Sequence, residues 1–141
     1  MTQNPFVGTW RLISWEYRSA DGQVSNPFGR DFVGYIMYSD DGYMSVAIMS
    51  TKRPKFASGD LWGGTTEEKV AATDTYISYC GKYEVQGDKV IHNIEVSFFP
   101  NWSGMDQIRF FEFKGDRLSL STPPFLAAGI QQTAHLIWER V

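Results

Sequence analysis

Short polar turns that contain glycine divide this chain into alternating apolar and polar runs, and this pattern constrains the fold most strongly. The turns are Ala20-Asp21-Gly22, Asp40-Asp41-Gly42, Gly87-Asp88 and Gly115-Asp116. Turns of this chemistry join successive antiparallel strands. The predicted strands span residues 6–19, 33–39, 43–50, 80–86, 89–98, 106–114, 117–122 and 131–140. Because eight strands close a small barrel around one ligand, the pattern predicts an all-β, eight-stranded antiparallel barrel.

The start of the first predicted strand and the end of the last one carry a tryptophan and an arginine that indicate how the barrel closes. Gly8-Thr9-Trp10 lies at the start of the first strand, and Arg140 closes the last one. The pair resembles the arrangement by which lipocalins close one end of an eight-stranded barrel, with the cation over the indole face. We therefore expect one closed end and one open mouth.

Composition narrows the class of protein. The chain has 141 residues, which suits one domain over residues 1–141. Its 13 basic and 16 acidic residues are scattered, with a net charge of −3, so we expect no nucleic-acid partner. Cys80 is the only cysteine, which favours a reducing compartment. Met1–Val7 lacks a cationic and an apolar region, and no apolar run is long enough for a membrane span, so we expect a cytoplasmic protein.

One segment interrupts the strand pattern. In Thr65-Thr66-Glu67-Glu68 a hydroxyl is followed three residues later by a carboxylate, which predicts a helix start. A helix of three to four turns is expected from there to near Tyr79, between the third and fourth predicted strands. Together with the preceding loop, which carries Trp62, it forms the segment 51–79. This segment is either a mobile lid or a fixed plug over one end of the barrel.

Ordered motifs along nearly the whole chain resemble the small bacterial and fungal lipocalin-like domain family. They are VGTWRLISWE, FVGYIMYSDDGYMSV, RPKFASGD, CGKYEVQGDKVIHNIEVSFFPNW and LIWERV. The resemblance implies a lipocalin-type barrel, in a family whose members mostly lack an assigned activity. Related barrels that act as cyclases in polyketide pathways imply that the architecture can host chemistry. Unlike secreted lipocalins, this chain is expected to have no signal peptide, disulfide or trailing helix, so transport between cells is not implied.

Strand alternation predicts which side chains face the barrel interior. In strand 89–98 the apolar face also carries the polar residue His92, and in strand 106–114 the inner face also carries Arg109. The predicted inner residues are Val90, His92, Ile94, Val96, Phe98, Gln107, Arg109, Phe111 and Phe113. The turns set Tyr83 opposite His92, and they set Phe111 and Phe113 opposite Leu120 and Leu118. His135 is expected to face outward.

An interior Arg109 needs a partner, because an isolated buried charge is costly. One interpretation is a structural ion pair with Glu16. The other is that Arg109 and His92 join a tyrosine phenol to orient a mostly apolar ligand. His92 taken alone fits a hydrogen-bonded core imidazole as well as a functional group. The candidate ligand-binding residues are Tyr35, Tyr38, Tyr43, Trp62, Tyr83, His92, Arg109 and Phe111.

Three functional hypotheses remain. The first is a binding protein for a small hydrophobic or amphipathic molecule. The alternative is a cofactor-independent cyclase or isomerase acting on a polyketide-like or other carbonyl-bearing small molecule, with His92, Arg109 and Tyr83 as catalytic candidates. The third is a barrel filled with side chains whose outer surface serves protein association. The chain has no nucleophile elbow, phosphate loop or dinucleotide motif, so we expect no cofactor. Two separated histidines and one cysteine argue against a metal, and a homo-oligomer is compatible with the sequence.

Overall fold

A computed structural model describes residues 4–141, in which the chain forms ten strands, one α-helix and one 3₁₀ turn. The strands are β1 (Gly8–Ser19), β2 (Val24–Ser25), β3 (Phe32–Tyr38), β4 (Tyr43–Ser50), β5 (Tyr76–Gln86), β6 (Lys89–Ser97), β7 (Asp106–Lys114), β8 (Arg117–Ser121), β9 (Phe125–Ala127) and β10 (Ile130–Arg140). The helix α1 spans Thr66–Thr73, and the 3₁₀ turn spans Pro100–Trp102. The expectation about Met1–Val7 falls partly on residues 1–3, which lie outside the described residues.

Eight of the strands close into an antiparallel barrel, as predicted. The sheet runs β1-β3-β4-β5-β6-β7-β8-β10, and pairing of β1 with β10 closes it. The short strands β2 and β9, which were not predicted, extend the pairing of β1 and β10. The hairpin registers are confirmed: Tyr83 pairs with His92, Phe111 with Leu120, and Phe113 with Leu118.

The predicted helix is present but shorter and placed differently in the strand order. Its capping box is formed, since Thr65 Oγ1 accepts from the Glu68 amide at 3.1 Å and Glu68 Oε1 accepts from the Thr65 amide at 2.9 Å. The helix ends at Thr73, because residues 76–79 pair with β4 as the start of β5. Its predicted position between the third and fourth strands is not exact: with β2 counted, the helix follows the fourth strand.

Val96 was predicted to face inward but faces outward, because β6 contains a bulge. Cys80 pairs with Val96 and Gly81 pairs with Ile94, so Glu95 is an extra residue that has no partner across the ladder. Side-chain alternation shifts at this point, and Val96, predicted to face inward, is 64% exposed. Gly81 is required here, because a Cβ at this position would lie 2.0 Å from the Asn93 carbonyl oxygen.

The predicted closed end is formed around Trp10. The Arg140 guanidinium carbon lies 4.1 Å from the centre of the Trp10 ring, and its nitrogens donate to the backbone carbonyls of Val7 and Pro5 at 2.8 and 2.7 Å. Trp10 is 1% exposed, and its indole N–H donates to the Phe6 carbonyl at 2.9 Å. Gly8 has a φ of +135°, and a Cβ there would lie 2.6 Å from Arg140 Nη1. Glycine at this position therefore allows the cation to reach the indole.

Candidate ligand-binding site

The barrel encloses a cavity of about 660 Å³, which lies within the range of small-molecule sites, roughly 300 to 1,000 Å³. It opens at the end away from Trp10, where it is lined by Phe98, Phe99 and Trp102 of the β6–β7 connection, by Pro123 and Pro124 of the β8–β9 connection, and by β9. The walls are mostly apolar and include Ile36, Val46, Ile48, Leu120, Leu136 and Trp138. The interior is therefore not filled with side chains, which argues against the third hypothesis.

An aromatic cluster separates this cavity from the closed end. The Phe6 ring contacts Tyr38, Phe111 and Phe113 edge-on, with centroids 4.8 to 5.0 Å apart. The Tyr38 ring also packs against Tyr83 at 4.8 Å. The hydroxyl of Tyr38 extends from this cluster toward the cavity side, where it meets His92. Tyr38 thus marks the inner end of the cavity.

His92 lies between two tyrosine hydroxyls at that inner end. Tyr38 Oη is 2.8 Å from His92 Nε2, and Tyr79 Oη is 2.8 Å from His92 Nδ1. The imidazole is 1% exposed, and both it and Tyr79 line the cavity. Both ring nitrogens are therefore occupied by phenols that come from different strands, β3 and β5.

The protonation states of this cluster follow from burial. Burial lowers the pKa of His92 well below its ordinary value, and the Arg109 charge lowers it further. Burial raises the pKa of Tyr38 well above its ordinary value and raises the pKa of Tyr79, although the Arg109 charge opposes both shifts. At neutral pH the imidazole is therefore neutral and both phenols keep their protons.

Arg109 is a half-buried cation on the cavity wall. It donates to Gln107 Oε1 at 3.2 Å and to the Ile108 carbonyl at 3.0 Å. Among residues 4–141 no carboxylate forms a salt bridge with it. The proposed partner Glu16 instead accepts from Arg18 Nε at 2.7 Å, because both side chains lie on the outer face of β1. The ion-pair interpretation of Arg109 is thus corrected.

Of the eight candidate residues, His92 and Arg109 line the cavity, and Tyr38 contacts His92 from the inner end without lining it. Tyr35 and Tyr43 are exposed, because alternation along β3 and β4 turns them to the outer face. Trp62 is 80% exposed in the loop before α1. These three side chains do not reach the cavity.

Tyr83 and Phe111 line a different, shallower hollow of about 440 Å³ at the closed end. The Tyr83 hydroxyl donates to the Ser39 carbonyl at 2.7 Å and accepts from Asn4 Nδ2 at 2.9 Å. Tyr83 pairs with His92 through the backbone, but the phenol points toward the closed end. It therefore does not provide the phenol that was expected beside Arg109.

Sequence reasoning missed Tyr79, which occupies the position expected for Tyr83. The predicted helix extended to Tyr79, so this residue was not assigned to a strand. The period of two across Tyr79, Gly81 and Tyr83 was the signal that places Tyr79 on an inner face. Tyr17 was also missed; it lines the cavity, and burial raises the pKa of its phenol.

The segment 51–79 does not act as one unit. Tyr76, Ile77 and Tyr79 line the cavity as strand residues, whereas no residue of 51–73 lines it. Arg53 holds the helix by donating to the Ala72 carbonyl at 3.1 Å and to Thr75 Oγ1 at 3.1 Å.

Within the described residues, no group of three or more His, Cys, Asp or Glu side chains is arranged to hold a metal ion. The same residues contain no helix long and apolar enough to cross a membrane.

Comparisons with known proteins agree with this architecture. The model of the lipocalin-like domain family matches residues 7–141. A curated relative, the 4'-hydroxy-3'-methoxypropiophenone carrier protein of Aspergillus oryzae, is 35% identical over 107 residues, which cover 70% of this chain and 96% of the relative.

Proposed function

We propose a ligand class from two premises: the chain belongs to the lipocalin-like domain family, and its barrel binds a small hydrophobic or amphipathic molecule. The ligand is a compact aromatic molecule that places an oxygen-bearing group at the inner end of the cavity. The protein acts as its carrier, binding and releasing it unchanged. The relative named as a carrier of an aryl ketone supports this class.

One observation carries the proposal: the cavity combines mostly apolar walls with a hydrogen-bonded polar cluster at its inner end. Aromatic rings of Tyr17, Phe98, Phe99 and Trp102 line the walls or mouth and offer faces and edges to an aromatic ligand. His92, Tyr79 and Arg109 supply the few polar contacts that orient such a ligand. An apolar body with a polar end fits this division.

Titration with 4'-hydroxy-3'-methoxypropiophenone tests the proposal, and the tryptophans that line the cavity, Trp15, Trp102 and Trp138, report binding by fluorescence. Val46→Phe adds volume on the cavity wall and should weaken binding by about tenfold or more. Ala47→Phe is the matched control, because the neighbouring residue faces outward on the same strand. Equal affinities of the two variants, or no binding by the unmodified protein, would contradict the proposal.

A second candidate is the cofactor-independent isomerase or cyclase, which the buried Tyr79–His92 pair beside Arg109 favours. Since both nitrogens of His92 are engaged by phenols, a substrate proton would pass through the Tyr79 hydroxyl. Incubation of the same ketone in deuterated water tests this candidate. Catalysed deuterium incorporation next to the carbonyl that is lost in Tyr79→Phe would support a catalyst. Incorporation at the uncatalysed rate would rule out this candidate and would be consistent with the carrier function.

We further propose that the protein works in the cytoplasm without a nucleic-acid partner. The single cysteine, Cys80, supports a reducing compartment. The scattered charges with a net charge of −3 support the absence of a nucleic-acid partner. Localisation of a tagged chain and an electrophoretic mobility assay with duplex DNA test these two points.

A further inference from the structure

We infer that Tyr38, His92 and Tyr79 form a directional hydrogen-bond chain that presents the Tyr79 hydroxyl proton to the cavity, so that the ligand's polar end is an acceptor oxygen. A ketone carbonyl or a carboxylate has this chemistry, whereas a group that only donates does not. This inference rests on the proposed function, since it assigns the ligand group that meets the inner end of the same cavity.

The direction of the chain follows from the chemistry of a neutral imidazole. A neutral histidine has one N–H donor and one acceptor nitrogen. Because each nitrogen of His92 faces one phenol at 2.8 Å, one tyrosine must donate to the ring and the other must accept from it. The phenol that donates to the ring has used its proton. The phenol that accepts keeps its proton for another partner.

Tyr38 is the phenol that donates. It is 2% exposed and its ring packs between Phe6 and Tyr83, at 5.0 and 4.8 Å. Among residues 4–141 its hydroxyl makes one hydrogen bond, to His92 Nε2. If His92 donated to Tyr38 instead, the Tyr38 proton would be buried against aromatic rings with no protein acceptor, which is costly. His92 Nε2 is therefore the acceptor, and the imidazole proton lies on Nδ1.

Tyr79 is consequently the phenol that accepts. His92 Nδ1–H donates to Tyr79 Oη, which leaves the Tyr79 proton free on the side chain that lines the cavity. Arg109, whose side chain forms no salt bridge among the described residues, lines the same cavity. Two donors, one of them charged, then point to an oxygen with partial or full negative charge. Tyr38 acts as a positioning residue, since it sets the tautomer without lining the cavity.

Nitrogen-15 NMR of the His92 ring tests the direction without any ligand. The two ring nitrogens of a neutral histidine have distinct shifts according to which one is protonated, and His135→Gln leaves a single histidine signal to assign. We expect Nδ1 to be protonated and Nε2 to be the acceptor. The opposite tautomer, or equal populations of both, would overturn the inference while leaving the proposed carrier function intact.

Matched ligands test the acceptor oxygen. Propiophenone carries one carbonyl oxygen and no donor, and propylbenzene is its counterpart without oxygen. We expect Tyr79→Phe to weaken propiophenone about tenfold relative to propylbenzene, as expected for one lost hydrogen bond. Tyr38→Phe should weaken it in the same direction by a smaller factor, because His92 is then free to adopt the other tautomer.

Tyr43→Phe is the matched control, because this tyrosine lies on the outer face and should change neither affinity. An unchanged ratio of the two affinities in Tyr79→Phe would overturn the inference. If neither ligand binds the unmodified protein, the proposed function fails for this class of ligand, and the tautomer measured by NMR decides the direction of the chain. That measurement uses the unsubstituted Tyr79, so it holds even if Tyr79→Phe does not fold.

Discussion

The two ends of the barrel differ in how they satisfy a cation. At the closed end Arg140 lies over the Trp10 ring and donates to two backbone carbonyls. In the cavity Arg109 donates to one amide oxygen and one backbone carbonyl, and no carboxylate pairs with it among the described residues. The closed end uses its cation for stability. In the cavity, the Arg109 guanidinium is a charged donor that a bound molecule can contact.

The largest effect is expected at the closed end. Trp10→Ala removes a fully buried indole and should lower the free energy of unfolding by about 3–5 kcal/mol. Arg140→Ala should cost less, and a double-mutant cycle with Trp10→Ala, measured by denaturant unfolding, should show coupling between the two residues. Trp62→Ala is the control, since this tryptophan is exposed and should change stability little. Strictly additive effects of Trp10 and Arg140 would remove the contact as the reason for closure.

Arg109→Leu should separate the two ends by changing binding without loss of stability. Replacing a half-buried cation that has no carboxylate partner relieves its desolvation cost, so the melting temperature should stay or rise. The affinity for propiophenone should fall by about tenfold, as for the loss of a hydrogen bond from a charged donor. Thermal melting and fluorescence titration measure the two quantities. A loss of about 3–5 kcal/mol with unchanged affinity would instead show that Arg109 stabilises the fold and does not contact the ligand.

His92 should make the stability of the cavity end depend on pH. Its pKa is lowered in the folded state, so the unfolded chain binds more protons below its own value of about 6.5. The contribution is therefore complete above about pH 6.5 and is lost as the pH falls, by up to about 1.4 kcal/mol per pH unit. Denaturant unfolding measured from pH 7.5 to 5 should show this slope in the free energy of unfolding.

The matched variants for this pH dependence are His92→Gln and His135→Gln. His92→Gln should reduce the slope. His135→Gln should reduce it less, because burial lowers the pKa of this partly exposed histidine to a smaller extent. The same slope in His92→Gln as in the unmodified protein would show that His92 is not held neutral by the fold.

The smallest effect concerns the segment 51–73, which contrasts with the strands around it. Helix α1 has no buried residue and is held by polar contacts such as the one between the Ala57 amide and Glu68 Oε2, at 2.9 Å. Its amides should exchange with solvent faster than those of the barrel strands. Since the segment does not line the cavity, exchange there should be nearly the same with and without propiophenone. Slower exchange confined to this segment on binding would make it a lid.

The closed end and the hairpin registers were predictable from sequence because they depend on local signals. Gly87 and Gly115 have positive φ and fix the turns that set Tyr83 opposite His92 and Phe111 opposite Leu120. Trp10 and Arg140 lie at strand ends, where closure of the barrel brings them together. These features need only short-range turn chemistry and the period of two along a strand.

The cluster of Tyr38, His92 and Tyr79 was less predictable because it depends on long-range strand pairing, which overrides the local helix signal. Tyr79 follows a well-capped helix, yet pairing with β4 makes it a strand residue. The bulge at Glu95 directs Val96 outward, and no local sequence signal predicted the position of this bulge. Tyr35 and Tyr38 lie three positions apart on one strand, so alternation already excluded that both face inward. The tyrosines that contact His92 could be identified only from the three-dimensional arrangement of the strands in the barrel.

A crystal structure of the protein with bound propiophenone would show directly which group of the ligand meets the inner end of the cavity. We expect the phenyl ring between the apolar walls and the carbonyl oxygen about 2.7 Å from Tyr79 Oη, a hydroxyl hydrogen-bond distance. Arg109 should approach the same oxygen. Propiophenone on the outer face of the barrel, or inside the cavity with its carbonyl toward the mouth and away from Tyr79, would rule out Tyr79 as the donor to the ligand.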